Sequence, residues 1–322
     1  MEGIKFTPVL RMKKNIAIID MGTNTFHLLV ATLSERSYVI IHRERLAVKI
    51  GMGGINDGRI TEEGADRALK AIQSFQKTIQ KFFVENILAF GTSALRNAKN
   101  GLDVIRKIKD ETGIETRIIS GDEEATYIYK GVQAALKIGN KKSLIVDIGG
   151  GSVEFIIGNE NEIFWKQSFE IGAQRLLEKY QKHDPILPIE LDALNHLFLE
   201  SLRPLFNAME EHRPQTLIGS SGTFDTLSEM HCIRNGLAFD PLAPEIPLSF
   251  ESFHEIFNEL VIKNRAGRMK IPGMIEMRVD MIVVACCLID FLLLTYTDFK
   301  RIRVSSLSLK EGVLASLLND KT

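Results

Sequence analysis

Residues 143–158 read S-L-I-V-D-I-G-G-G-S-V-E-F-I-I-G. An apolar run ends in Asp147, turns through three glycines and Ser152, and resumes as a second apolar run, the pattern of a β-hairpin. Residues 15–30 read N-I-A-I-I-D-M-G-T-N-T-F-H-L-L-V and have the same grammar. At an offset of 127, Asp20 aligns with Asp147, Gly22 with Gly149, Thr25 with Ser152 and His27 with Glu154. A second pair of motifs, L-A-F-G-T-S at 88–93 and L-I-G-S-S at 217–221, sets Gly91 against Gly219 at an offset of 128. Two ordered pairs at nearly one spacing read as an internal duplication.

The rest of the chain arranges itself around these hairpins. Alternating apolar patterns predict a meander of strands near 16–21, 25–33 and 38–48, and helical periodicity predicts a helix over 61–83 with Thr61 as its N-cap. A strand at 87–91, a helix at 98–111, a strand at 115–119 and a helix over 122–136 complete the first half. The second meander falls at 143–148, 153–158 and 162–169. Helices follow at 173–181, 189–211, 223–232, 250–263 and 274–296, with strands at 216–220 and 301–304 and a closing helix at 309–318. Three antiparallel strands followed by α/β alternation, twice over, describe an α/β protein. Its duplicated ribonuclease-H-like domains, as in the actin-like ATPase superfold, face each other across a cleft. The expected division is 1–138 and 139–322, with the linker at Gly139-Asn140, a hinge over 136–142, and the last helix packed near the interdomain region.

Composition sets the outer limits. At 322 residues, two domains of roughly 150 residues are expected rather than one core. Lys and Arg (40) balance Asp and Glu (41), which speaks against a nucleic-acid coat, so any polyanion must be held by a local site. Cys232, Cys286 and Cys287 have no metal-ligand spacing; the adjacent pair, in an apolar helical stretch, reads as core. A reducing cytoplasm is the expected compartment, and no membrane partner is expected, because the longest apolar stretch, 281–296, is interrupted by Asp290 and falls short of a span. Residues 1–14 read as a loose tail with Met12 as an alternative start. Apolar residues expected at the surface leave a homodimer open.

Glycines and small hydroxyl residues in a turn bring backbone N–H and side-chain O–H donors together with no Cβ in the way, a concavity suited to anionic oxygens. Gly149, Gly150, Gly151 and Ser152 are the best example. Asp20 and Asp147 cannot face phosphate productively without a cation between them, which points to Mg²⁺ or another divalent ion held partly through water. A single hairpin of this kind reads equally well as a tight turn. Two copies that both retain D-x-G and a hydroxyl residue favour a clamp on successive phosphates.

Five motifs in order carry a family resemblance: D-M-G-T-N-T-F-H at 20–27, G-T-S-A-L-R at 91–96, I-S-G-D-E-E-A at 119–125, D-I-G-G-G-S-V-E at 147–154 and G-S-S-G-T at 219–223. Together they resemble the exopolyphosphatase and guanosine pentaphosphate phosphohydrolase (Ppx/GppA) family over nearly the whole chain, in its short form without a helical C-terminal extension. The resemblance implies hydrolytic removal of a terminal phosphate from a phosphoanhydride chain, inorganic polyphosphate or pppGpp, with a divalent cation.

The same resemblance distributes roles. Ser120 and Glu123 fit an S-x-x-E capping box, which occupies Glu123 and leaves Glu124 pointing elsewhere. Glu124 matches the glutamate taken in the family to activate the attacking water. Glu154, two residues past Ser152 on the inward face, matches the second carboxylate, for metal or water positioning. Arg96 is expected to contact phosphate bidentately. Asn24 and Thr25 join Gly149, Gly150, Gly151 and Ser152 as phosphate ligands, and Gly222 and Thr223 add the second-domain side. Asp20, Asp147 and Glu154 are the expected metal ligands. His27 reads as a core residue. Asp280, in an R-x-D element, reads as structural, paired with Arg278 or a cleft residue. Ser308 and Lys310 stand where the family commonly shows Gly and Arg, and Asp225 adds negative charge near the cleft. A non-catalytic sensor of polyphosphate or guanosine alarmones would use the same clamp, but two extra carboxylates beside a polyanion favour the hydrolase. A kinase would need an adenosine pocket and an acceptor site, and the sequence marks neither.

Overall fold

The computed structural model describes residues 14–35 and 37–319; the reading of residues 1–14 as a tail lies, Lys14 apart, outside them. The first half opens with β1 (Lys14–Met21), β2 (Thr25–Leu33) and β3 (Tyr38–Ala47), then a short 3-10 turn (Ile55–Asp57) and α1 (Glu62–Lys81). It continues through β4 (Asn86–Gly91), α2 (Ser93–Asn97), α3 (Gly101–Thr112), β5 (Thr116–Ile118) and α4 (Gly121–Ala135). The connection to the second half turns at Gly139, whose φ of 81° is one that glycine adopts without strain.

The second half repeats the meander as β6 (Ser143–Ile148), β7 (Val153–Gly158) and β8 (Ile163–Phe169). There follow α5 (Ala173–Tyr180), α6 (Pro188–Ser201), α7 (Arg203–His212), β9 (Thr216–Ser220), α8 (Gly222–Arg234) and β10 (Glu245–Ile246). The described chain ends with α9 (Phe250–Ile262), α10 (Arg265–Arg268), α11 (Ile282–Thr295), β11 (Arg301–Ser305) and α12 (Leu309–Asn319). The sheets run β3-β2-β1-β4-β5 and β8-β7-β6-β9-β11-β10, the same strand order with one short strand added. This is the duplicated ribonuclease-H-like α/β architecture of the actin-like ATPase superfold.

Ladder register tests the duplication residue by residue. Asp20 pairs with His27 across the first hairpin, and Asp147 with Glu154 across the second, so the offset of 127 holds in three dimensions. The second motif pair needs correcting. Ile19 lies beside Ala89 and Val146 beside Gly219, an offset of 130, so Gly91 corresponds to Ser221 and not to Gly219. Ser221 has a glycine-like backbone, φ 74° and ψ 173°, although Gly91 itself has no positive φ.

Strand alternation builds two layers from β1. Ala17, Ile19 and Met21 join a core with α1 and α3, while Ile16 and Ile18 face a second core shared with α4, α12, Ile145, Ile156 and Ile218. The chain's later residues thus complete a core begun by its earliest strand. α12 crosses α4 at Gly131 and Gly312, where a Cβ would lie 2.0 Å from Ser308 O and 1.8 Å from Tyr127 O respectively.

Thr61 caps α1 as expected, its hydroxyl accepting from Gly64 N at 3.1 Å, a contact worth about 1 kcal/mol. Three helix readings change. The helix read over 98–111 starts at Gly101, with α2 as a separate turn ahead of it. The helix read over 189–211 breaks at Leu202, because Pro204 lacks an N–H and its ring collides with the carbonyl four residues back. The helix read over 274–296 begins only at Ile282, preceded by turns from which Ile275 and Arg278 line the cleft. All three cysteines are free and buried, as read for Cys286 and Cys287. Among the described residues no helix is long and apolar enough to cross a membrane.

Candidate active site

The two D-x-G hairpins meet at a cleft of about 450 Å³. They approach so closely that a Cβ on Gly150 would sit 2.9 Å from the Asn24 side chain, and one on Gly151 2.4 Å from Ser93 Oγ. The carbonyls of Gly149, Gly150 and Gly151 accept from the N–H groups of Ala173, Gln174 and Gly172, at 2.9, 2.8 and 3.1 Å. These bonds turn the loop's carbonyl oxygens back onto the start of α5, which keeps their lone pairs away from an anion in the cleft.

Of the residues singled out by sequence, Asp20, Asn24, Thr25, Glu124, Asp147, Gly149, Gly150, Gly151, Ser152, Glu154 and Gly222 line this cleft. Arg96 and Thr223 do not; Thr223 is buried at the start of α8. Asn24 donates to Met281 Sδ from the other half, and its buried Oδ1 has no partner among the described residues.

Glu124 sits in the first turn of α4 and is 8% exposed. Ser120 Oγ accepts from Glu123 N at 3.1 Å, but the Glu123 carboxylate turns to Arg117 at 2.6 Å, so only one half of the capping box forms. Glu124 instead accepts from Arg96 Nη1 at 2.8 Å. Burial, then the neighbouring Glu154, push the Glu124 carboxyl well above its usual range, against the pull of Arg96. Arg96 also donates to Ile119 O at 3.1 Å and lies 3.5 Å from Glu170. Its guanidinium is therefore committed to a carboxylate, whereas the sequence suggested a phosphate.

Glu154 is 2% exposed, and its Oε1 accepts from Ser152 Oγ and Ser168 Oγ, both at 2.7 Å. Burial and then Asp147 raise it to about 7. Asp147 is raised mainly by burial, while Ser308 Oγ, 2.6 Å from Oδ2, opposes the shift. Asp20 rises to about 6 through burial, opposed by Lys310 and reinforced by Asp147 and Glu311.

His27 lines the cleft, which the core reading missed; burial, then Lys310, Arg278 and Arg45, hold its imidazole neutral. Asp225 stands in the cleft wall with Oδ1 unpartnered and is raised to about 6 by burial, which Arg278 partly offsets. Asp280 pairs with Arg265 at 2.8 Å and, across the cleft rim, with Lys49 at 3.8 Å, not with Arg278. Ser308 and Lys310, the departures near the chain's end, both line the cleft. Sequence reasoning also passed over Arg43 and Arg45. They lie at alternate positions on one face of the edge strand β3 and line the cleft. Ser93 lay within the G-T-S-A-L-R motif without being singled out, and no local signal marked Ser168, Glu170 or Arg175, which tertiary structure alone assembles.

Two sheets of one strand order, with opposed D-x-G turns at a shared cleft, define a protein of the actin-like ATPase class. Within that class the chain belongs to the Ppx/GppA phosphatase family, whose model matches residues 29–321, and it is a phosphoanhydride hydrolase. An exopolyphosphatase from Cytophaga hutchinsonii is 44% identical, with a TM-score of 0.92 over 95% of this chain and 98% of that one. The Aquifex aeolicus family member shares the fold at 24% identity, with a TM-score of 0.77 over 97% of this chain and 99% of its own. A guanosine-5'-triphosphate,3'-diphosphate pyrophosphatase from Photobacterium profundum is 31% identical over 66% of this chain and 43% of its own length.

Proposed function

We propose that this protein releases terminal phosphate from inorganic polyphosphate or pppGpp, with Glu124 as the general base in a cleft that closes between residues 1–138 and 139–322. The observation that carries this reading is the state of Glu124: a buried carboxylate made more basic by its surroundings, opening on the same cleft as the glycine turn, and fixed by Arg96. Phosphoanhydride cleavage requires an oriented water and stabilised charge rather than a covalent intermediate. Glu124 accepts the water's proton at its carboxylate. Glu154, held by two serine hydroxyls, orients that water from the opposite hairpin. The backbone of Gly149, Gly150, Gly151 and Ser152, with Asn24, Thr25 and Gly222, grips the phosphates.

The donor set also fits a divalent cation. Asp147 is buried and Asp20 half-buried, and both line the cleft. Asp147 adds to the burial that raises the Asp20 carboxyl while Lys310 opposes it, so a cation between the two would ease their repulsion. Among the described residues no group of three or more His, Cys, Asp or Glu is placed to cage a metal ion. One or two carboxylates completed by water and phosphate oxygens is the habit of Mg²⁺. Asp20 and Asp147 would hold the cation, rather than Asp20, Asp147 and Glu154 all together, and bound there it would neutralise charge on the phosphate chain.

The test is phosphate release from long-chain polyphosphate and from pppGpp with Mg²⁺, for the wild type and Glu124→Ala. The wild type is expected to release phosphate, and Glu124→Ala to lower kcat by about 10²- to 10⁴-fold with binding retained. Tight binding of both substrates without release by the wild type would replace the hydrolase with a sensor.

A further inference from the structure

Arg175, on α5, donates in three directions. Nε reaches Gly151 O at 2.8 Å and supports the glycine turn from behind. Nη1 reaches Ile55 O at 2.8 Å, in the short turn across the cleft. Nη2 reaches Glu170 Oε2 at 3.1 Å, an oxygen that also accepts from Ser93 Oγ at 2.8 Å. The other oxygen of Glu170 faces Arg96 Nη2 at 3.5 Å, and Arg96 holds Glu124 through its remaining terminal nitrogen. Two more bonds run along the same seam: Gly53 N to Glu178 Oε1 at 2.9 Å, and Asn56 Nδ2 to Arg175 O at 3.3 Å. Neither Arg175 nor Glu170 lines the cleft. Both guanidinium side chains are only 15% exposed, so their planar forks are fixed by packing as well as by bonding.

We propose that Arg175 and Glu170 are positioning residues that couple closure of the cleft to the placement of Glu124. When the turn near Ile55 seats on α5, Arg175 is held where it draws Glu170 toward Arg96, and Arg96 then presents the Glu124 carboxylate to the water. With the two halves apart, Arg175 loses its bond to Ile55, and the relay to the base is slack. Such a coupling withholds a competent base until the phosphate chain is enclosed, which limits idle proton transfer to solvent.

The inference rests on Glu124 being the base, so the experiment separates the two claims. Steady-state kinetics on long-chain polyphosphate would be compared for the wild type, Arg175→Ala, Arg175→Lys and Glu170→Gln, each alone and combined with Glu124→Ala. Arg175→Ala and Glu170→Gln are expected to lower kcat by about 10- to 100-fold, as for a misplaced catalytic group. KM should stay within about threefold, and Arg175→Lys should fall between the wild type and alanine. On the Glu124→Ala background the same substitutions should change residual turnover by less than about twofold, because their effect runs through the missing carboxylate. Equal losses with and without that carboxylate, losses confined to KM, or unchanged kcat in an active protein would each overturn the relay. Glu170→Gln keeps the side chain's shape at a partly exposed position, so it decides the matter even where Arg175→Ala folds poorly. A wild type inactive on every phosphate chain would overturn the base and the relay together.

Discussion

Asp225 illustrates how one side chain can carry both strain and information. Its carboxyl is raised to about 6 by burial, and Oδ1 finds no partner. A carboxyl whose folded pKa exceeds its unfolded value binds more protons when folded, so its contribution to stability is full below the unfolded value near 3.8. That contribution is lost as pH rises through about 6. Asp225→Asn should therefore raise stability at pH 7.5, by on the order of 2–3 kcal/mol, and leave it nearly unchanged below pH 4. Urea midpoints of both proteins across this range check the prediction, and parallel curves would refute it. Asp20 and Glu154 shift in the same direction, so Asp225→Asn keeps part of the wild-type slope. A fold that tolerates five such carboxylates beside one cleft, Glu124 and Asp147 among them, keeps negative charge where a cation and a phosphate chain are to be handled. Asp20, Asp147 and Glu154 were legible in the sequence because a D-x-G hairpin fixes their register. Arg96 was legible as a cation, but not its bond to Glu124, which only the packed start of α4 reveals.

At the scale of elements, the crossing of α4 and α12 positions Ser308 and Lys310 for the cleft. Backbone meets backbone at Gly131 and Gly312, with no room for a methyl group at either position. Gly131→Ala or Gly312→Ala should cost about 1–3 kcal/mol by overpacking, read as a lower urea midpoint with an unchanged m value. Either substitution should also weaken phosphate release, because it moves Ser308 away from Asp147. The sequence disclosed both helices but not their contact, for glycines at ordinary helical positions look like weak points until a partner is seen. Most strands were legible to within a residue or two, because apolar runs bounded by turns leave little freedom of assignment. Helix ends were less so. Pro204 was a visible break in the stretch read as one helix, whereas the delayed start of α11 goes with Arg278 lining the cleft and Asp280 pairing with Arg265, tertiary contacts that no local pattern carries.

For the whole molecule, the bonds from Arg175 and Glu178 to the turn near Ile55, with Lys49 to Asp280 on the opposite rim, describe a closed cleft. A compact chain of this length has a radius of gyration of about 20 Å. Solution scattering without ligand should give a larger value that falls toward this figure when Mg²⁺ and a phosphate chain are added to Glu124→Ala; an unchanged profile would argue against hinging over 136–142. The shared core beneath α4 has a consequence in time. Gly131 and Gly312 are about 180 residues apart. At about 5–20 residues per second a ribosome takes roughly 10 to 40 seconds to travel from one to the other. Throughout that interval the nascent first half carries an uncovered apolar face, so the cell must shelter it until α12 emerges.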